Sequence, residues 1–248
     1  MNEILQIKSN RIRANSLISI YKAKSGHPGG VLSSIDVILY LFDTEMHYDS
    51  AVLNNSNDRF ILSKGHCAPA LYAVAAEYGF VDKSRLNGLR KLGHELQGHT
   101  CRETTPWVEA STGSLGQGFS FAIGEAKGFK ISSIDSRVYV MLGDGELQEG
   151  EVWEGAMFSS HHNLNNLCAI VDYNKMQSDN LNKNIIGLEP LVDKWSAFGW
   201  NVIEINGHDF EEIKLAFDNA RNNMEGPTVI IAHTIKGKEI GRASCRER

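Results

Sequence analysis

Long apolar runs are missing from this chain: nowhere do the roughly 18 uninterrupted apolar residues of a membrane-spanning helix stand together. Near the N-terminus Lys8, Asn10, Arg11 and Arg13 interrupt any stretch that would serve as a secretory signal. Cysteine is scarce, with four in 248 residues. Cys67, Cys101, Cys168 and Cys245 show neither metal-ligand spacing nor a dense disulfide framework, so reduced thiols and a cytoplasmic location are expected. An excess of one charge is lacking too. A net charge of −5, from 25 basic and 30 acidic residues, gives no support to a nucleic-acid surface. Repeats, linkers and low-complexity segments are absent as well.

What is present is the composition of a soluble enzyme, 42% hydrophobic and 22% charged, long enough to bury one α/β core. The organising stretch runs from Val138 to Met176. Val138 to Leu142 and Leu167 to Val171 are short apolar runs rich in β-branched residues, separated by room for one crossover helix. Runs buried on both faces belong to parallel sheets. Arg59 to Ser63, Asn201 to Ile205 and Thr228 to His233 read as further strands. Helical spacing or small-residue content marks residues 4–24, 67–80, 112–129 and 188–198, and Asp209 caps an amphipathic helix ending near Asn222. Ser25 to Gly30 reads as a loop, because Pro28 and the glycines oppose a continuous helix, with Ser33 or Ser34 capping the helix that follows. Residues 54–58 read as a polar turn, and residues 84–110 as a long irregular loop. The alternation predicts an α/β fold, a doubly wound, mostly parallel sheet with helices on both faces.

Ligands in such sheets sit beyond the carboxyl ends of the strands. Asp144 and Asn174 would emerge there side by side, with oxygen donors suited to Mg²⁺ or Ca²⁺. Alone, Gly143-Asp144-Gly145 would be a turn; the second strand end, Asp172-Tyr173-Asn174, is what makes a cation site of it. A carboxylate, an amide oxygen and a backbone oxygen near Met176 supply part of an octahedral shell, and a diphosphate would complete it. The glycine-rich stretch from Thr112 to Gly118, opening a helix, offers N–H groups to an anion.

Gly-Asp-Gly followed at this distance by an asparagine is similar to the cofactor motif of thiamine-diphosphate enzymes. Together with Ser25-Gly-His27-Pro-Gly-Gly30, Ser63-Lys-Gly-His66 and Thr112-Gly-Ser-Leu-Gly-Gln-Gly118, it resembles the diphosphate-binding domain of transketolase, in particular the N-terminal section that occurs as a separate subunit. The resemblance implies thiamine diphosphate as cofactor with Mg²⁺ (Ca²⁺ or Mn²⁺ as substitutes), the metal held by Asp144, Asn174 and the Met176 carbonyl. It implies cofactor contacts from His66, Gly113, Ser114, Leu115, Asp144, Gly145, Asn174 and, as a weaker match, His233. Ser114 stands where the family often has proline. His27, His66 and His99 are implied as the histidines near the reacting carbon, titrating in the range useful for proton transfer. Glu149 resembles a carboxylate at the subunit interface, whereas the rest of the acidic run from Glu146 to Glu151 reads as a solvated helix start. His47, His94, His161, His162 and His208 read as surface groups.

The activity so implied is transfer of a two-carbon ketol unit from a ketose phosphate to an aldose phosphate. The family's pyrimidine-binding domain has no counterpart in these residues. A C-terminal-section partner, self-association and a heterotetramer are therefore expected, with activity only in the complex. A half resembling deoxyxylulose-phosphate synthase, or an idle scaffolding chain, are the rival readings; Gly145-Glu-Leu-Gln-Glu-Gly150 and Asp172-Tyr-Asn-Lys175 fit transketolase better. The domain is expected to span residues 1–238. Residues 239–248 read as the translation of sequencing-adapter DNA, a natural basic tail being the alternative.

Overall fold

The computed structural model describes residues 2–48 and 57–240. Residues 54–56 of the expected turn and 241–248 of the expected tail lie outside them.

Five strands, β1 (Arg59–Leu62), β2 (Val138–Gly143), β3 (Leu167–Tyr173), β4 (Asn201–Asn206) and β5 (Thr228–His233), form one sheet in the order β1-β2-β3-β5-β4, every pair parallel. The helices are α1 (Asn2–Ala23), α2 (Pro28–Tyr40), α3 (Ala68–Glu77), α4 (Gln117–Ile131), α5 (Gly150–His161), the single turn α6 (Asn182–Ile185), α7 (Leu191–Ala197) and α8 (Phe210–Asn222).

β2, β3 and β5 are buried almost throughout because both their faces are covered, whereas the edge strand β4 leaves Glu204 and Asn206 exposed; alternate residues of the sheet feed two separate cores. Tyr139, Met141, Cys168, Ile170, Ile230 and Ala232 join α1, α2, α3 and α8. Val138, Val140, Leu142, Ala169, Val171, Val229 and Ile231 join α4, α5 and α7. The sheet is doubly wound, as expected. Asp209 caps α8 by accepting from the Glu211 and Glu212 amides. Residues 84–110 hold one short 3-10 turn, Lys83–Gly88, and are otherwise irregular.

The start of α2 differs from the expectation. His27 is its N-cap and Pro28 opens it, the position where a missing N–H costs nothing. Gly29 and Gly30 are helical; a Cβ on Gly30 would stand 2.9 Å from the Cys67 sulfur, so close packing, not a turn, accounts for that glycine. Ser33 and Ser34 lie inside the helix, each donating to the Gly30 carbonyl (3.0 and 2.6 Å), and they cap nothing. Their hydroxyls also reach Asp172 at the end of β3, 2.6 Å from Ser33 and 3.4 Å from Ser34.

Candidate active site

The register aligns the carboxyl ends of the strands at one edge: Leu62 pairs with Met141, Gly143 with Asp172, and Tyr173 with His233. A cleft opens beyond that edge. His27, Gly30, Lys64, His66, Leu115, Asp144, Gly145, Glu146, Asn174, Met176 and Lys236 are among the residues that line it.

Asp144 caps the turn that follows β2 and is buried. Its carboxylate accepts the amides of Gly145 (2.8 Å) and Lys175 (2.6 Å), which ties the β2 end to the turn after β3. In that turn Asn174 Oδ1 accepts the Met176 amide at 3.1 Å, and Asn174 Nδ2 donates to Asp172 at 3.3 Å. Lys175 takes a positive φ of 65° so that the chain can double back. Asp144, Asn174 and Met176 are thereby brought together at the cleft. Burial, then the neighbouring Asp172, pushes the Asp144 carboxyl up to about 6.

The floor is a buried polar lattice. Lys64 pairs with Asp172 and both are buried. Burial alone would lower the Lys64 pKa, but Asp172 outweighs it and the net direction is upward. Glu146, on the stretch read as a solvated helix start, is 1% exposed. Its carboxylate accepts the Gly116 and Gly143 amides, both at 2.9 Å, and the Ser63 hydroxyl. One side chain thus fastens the ends of β1 and β2 to the N-terminus of α4. Glu151 on the same run accepts from Ser120 at 2.7 Å, while Glu149 stays exposed at the start of α5. Gly118 allows this approach, since a Cβ there would stand 2.6 Å from the Ser63 hydroxyl oxygen.

The rings of His27 and His66 meet edge to face, 5.2 Å apart. Burial and then the Lys64 charge push His66 down to about 4, so its imidazole is neutral at physiological pH. His99 sits behind Gly113, where a Cβ would stand 2.9 Å from the ring. Its pKa is lowered, by burial first and then by Arg90, with smaller effects of His66 and His27, and it does not reach the cleft lining. Leu115 reaches the cleft lining, whereas Gly113, half-buried, and Ser114, exposed, stand back from it. His233 does not join the group. Its ring turns to Glu204 (2.8 Å) on the outer strand β4 and packs against Tyr173. Among the described residues no cluster of three or more His, Cys, Asp or Glu side chains is arranged to hold a metal. Asp144, Asn174 and a backbone carbonyl are a donor set of another kind.

Several groups of the site were not picked out from sequence: Lys64, Asp172 and Glu146 below the cleft, Gln177 and Lys236 along it. Lys64 stood inside the Ser-Lys-Gly-His motif and Asp172 inside Asp-Tyr-Asn, so a signal existed for those two. His208, read as a surface group, is a correction as well. Its side chain is 8% exposed and bonds Asp36 at 2.7 Å, because the β4–α8 turn is packed down onto α2.

The family model described as "Transketolase, thiamine diphosphate binding domain" matches residues 5–246. The chain belongs to this family. One of the subunits of apulose-4-phosphate transketolase from Phocaeicola vulgatus is 38% identical over 239 residues, covering 96% of this chain and 85% of that protein. The 6-deoxy-6-sulfo-D-fructose transketolase subunit SqwG of Clostridium sp. is 42% identical over 238 residues, 94% of this chain and 86% of that protein. Among solved structures, transketolase from Campylobacter jejuni has a TM-score of 0.89 at 33% identity, covering 97% of this chain but 39% of its own. The chain therefore has nearly the length of the transketolase subunits and well under half that of the longer transketolase. It is the thiamine-diphosphate-binding portion of a transketolase-type enzyme.

Proposed function

We propose that this chain anchors the diphosphate end of thiamine diphosphate through a divalent cation, Mg²⁺ in the first instance. With a C-terminal-section partner it would then transfer a two-carbon ketol unit from a ketose phosphate to an aldose phosphate. One observation carries the reading: Asp144 and the Asn174–Met176 turn converge at adjacent strand ends, inside a cleft that also receives His27, His66 and Lys236.

The donor chemistry fits. A carboxylate, an amide oxygen and a main-chain oxygen are hard ligands of the kind Mg²⁺ takes, leaving positions for water and phosphate oxygens. The raised Asp144 pKa agrees with this, because Lys64 is committed to Asp172 and leaves the Asp144 charge for another cation to balance. Lys236 supplies positive charge on the anion's side. Bound thiamine diphosphate supplies the electron sink for breaking and making a carbon–carbon bond. The residues of this chain hold it, keep His66 neutral, and bring His27 and His66 into the cleft, with His99 behind Gly113, to serve where protons leave and join sugar hydroxyls.

The names of the two shorter relatives, each a transketolase subunit, support a partner chain for this one. Self-association, giving a heterotetramer, is supported by large apolar side chains left exposed on α4 and α5: Phe121, Met157 and Phe158. The free thiols Cys67, Cys101 and Cys168 suit the reducing cytoplasm, where we locate the reaction.

The test has two arms. Thiamine diphosphate should bind the purified chain only with Mg²⁺ present, and Asp144→Ala should abolish that binding; unchanged affinity would remove Asp144 from the metal site. Ketol transfer should appear when the chain is mixed with a C-terminal section, and full activity from this chain alone would refute the split assignment.

A further inference from the structure

The loop over the cleft carries a buried donor with nothing to donate to. Gln177 follows Met176 in a small hairpin closed by the Met176–Leu181 bridge and by the Asn182 amide on the Lys175 carbonyl at 3.1 Å. Its main chain is held on both sides. The Gln177 amide donates to the Asn180 carbonyl at 2.9 Å, and the Gln177 carbonyl accepts from Lys236 Nζ at 2.9 Å. The side chain turns inward over Gly145, so closely that a Cβ on that glycine would stand 2.9 Å from Gln177 Cγ. There Gln177 Nε2 is buried and without a hydrogen-bond partner. A buried primary amide with unused N–H groups is an unfavourable arrangement unless an acceptor arrives.

The neighbours say which acceptor. Gln177 shares the cleft with the Lys236 ammonium and with the oxygen donors Asp144 and Asn174. The Asn174 amide already gives one N–H to Asp172 and accepts the Met176 amide, so Gln177 Nε2 is the side-chain amide nitrogen here that is left with no partner at all. A ligand that offers anionic oxygens to Lys236 and Gln177 while sharing a cation with Asp144 satisfies every group at once. A diphosphate does so.

We propose that Gln177 is a further ligand-binding residue of this cleft, donating from Nε2 to a phosphate oxygen seated above Gly145, beside Lys236. The proposal rests on the diphosphate reading of the cleft. It adds a side-chain donor from the hairpin to the metal ligands on the strand ends. It also gives the glycine at 145 a second purpose, since a Cβ there would stand 2.9 Å from Gln177 Cγ and force the side chain to shift.

Calorimetric titration of the purified chain with inorganic pyrophosphate, thiamine diphosphate and thiamine, all with Mg²⁺, tests it. Gln177→Met keeps the length of the side chain and its packing over Gly145 but removes the donor. It should weaken pyrophosphate and thiamine diphosphate by about tenfold each and leave thiamine unchanged. Gln177→Glu, which faces the phosphate with a negative charge, should weaken both by about a hundredfold. Either variant suffices if the other fails to fold. Wild-type affinity for pyrophosphate in Gln177→Met, or an equal loss for thiamine, would overturn the role of Gln177. Absence of any pyrophosphate or thiamine diphosphate binding by the wild-type chain would instead sink the diphosphate reading, and this inference with it.

Discussion

Lys64, just past the end of β1, reaches across the end of β2 to pair with Asp172 on β3, and both side chains are almost wholly enclosed, at 2% and 1% exposure. The pair spans three strands at the edge where the cleft opens. Asp172 also receives Ser33 from α2 and Thr234 from the segment after β5. Burial opposes its ionisation, yet Lys64 and these donors hold its pKa below the ordinary carboxylate range. Breaking one side of such a pair leaves an uncompensated buried charge, which costs about 3–5 kcal/mol. Lys64→Met should lower unfolding stability by that order in urea titrations. The double variant Lys64→Met with Asp172→Asn should cost clearly less than the sum of the two single losses. Additive losses would show that the two groups are not coupled.

His66 stands beside that pair, and its protonation is governed by burial first and by the Lys64 charge second. Enclosure and the Lys64 charge push the imidazole down to about 4. The ring should therefore stay neutral from about pH 5 upward, well below the ordinary titration near 6.5. Ring nitrogen shifts followed by NMR would report this directly. A His66 midpoint at or above about 6 would contradict it.

How far the chain disclosed this in advance follows from what is local and what is not. Val138 to Leu142 and Leu167 to Val171 carry their strand character in their own composition, and Asp209 carries its capping role in its type and position. Asp144 and Asn174 were legible because each terminates such a strand. The order β1-β2-β3-β5-β4 was not, since no residue says which neighbour its strand will take. Gly30 looked like a breaker because its reason for lacking a side chain, the sulfur of Cys67, arrives from 37 positions away in the chain. Glu146 looked solvated because acidic residues suit helix starts; its partners Ser63, Gly116 and Gly143 come together only when the sheet edge forms.

Away from the cleft, Glu125 on α4 is held in an unfavourable place. One of its carboxylate oxygens is buried without a hydrogen-bond partner, and Arg59 stands 3.7 Å away, shared with Glu109. Burial and then Glu109 push its pKa up to about 7. A carboxyl whose folded-state pKa is raised binds protons more tightly when folded, so stability falls as pH rises from the unfolded value, 4.5, through about 7. Glu125→Gln removes that penalty. It should raise stability by about 1 kcal/mol near pH 8, discounted for partial solvent contact, and by nothing below about pH 4.5. Thermal melts at the two pH values would check this, and a gain of equal size at both would contradict it.

The last consequence concerns how the segment bearing Lys236 is held. His208 Nε2 accepts the Ile235 amide at 2.9 Å, which fixes the neutral ring as the Nδ1–H form, donating to Asp36 at 2.7 Å. Asp36 is anchored in turn by Arg13 at 2.6 Å and by Ser9, so the ring is a post between α1, α2 and the chain that leaves β5. Thr234 and Lys236 flank the tethered amide and reach Asp172 and the Gln177 carbonyl. His208→Ala should cost about 1–2 kcal/mol of stability and speed hydrogen exchange at the Ile235 amide. His208→Asn can keep a donor near Asp36 but offers no acceptor at the Nε2 position. It should restore part of the stability and none of the protection at Ile235. If exchange at Ile235 is unchanged in both variants, His208 is not what holds the segment.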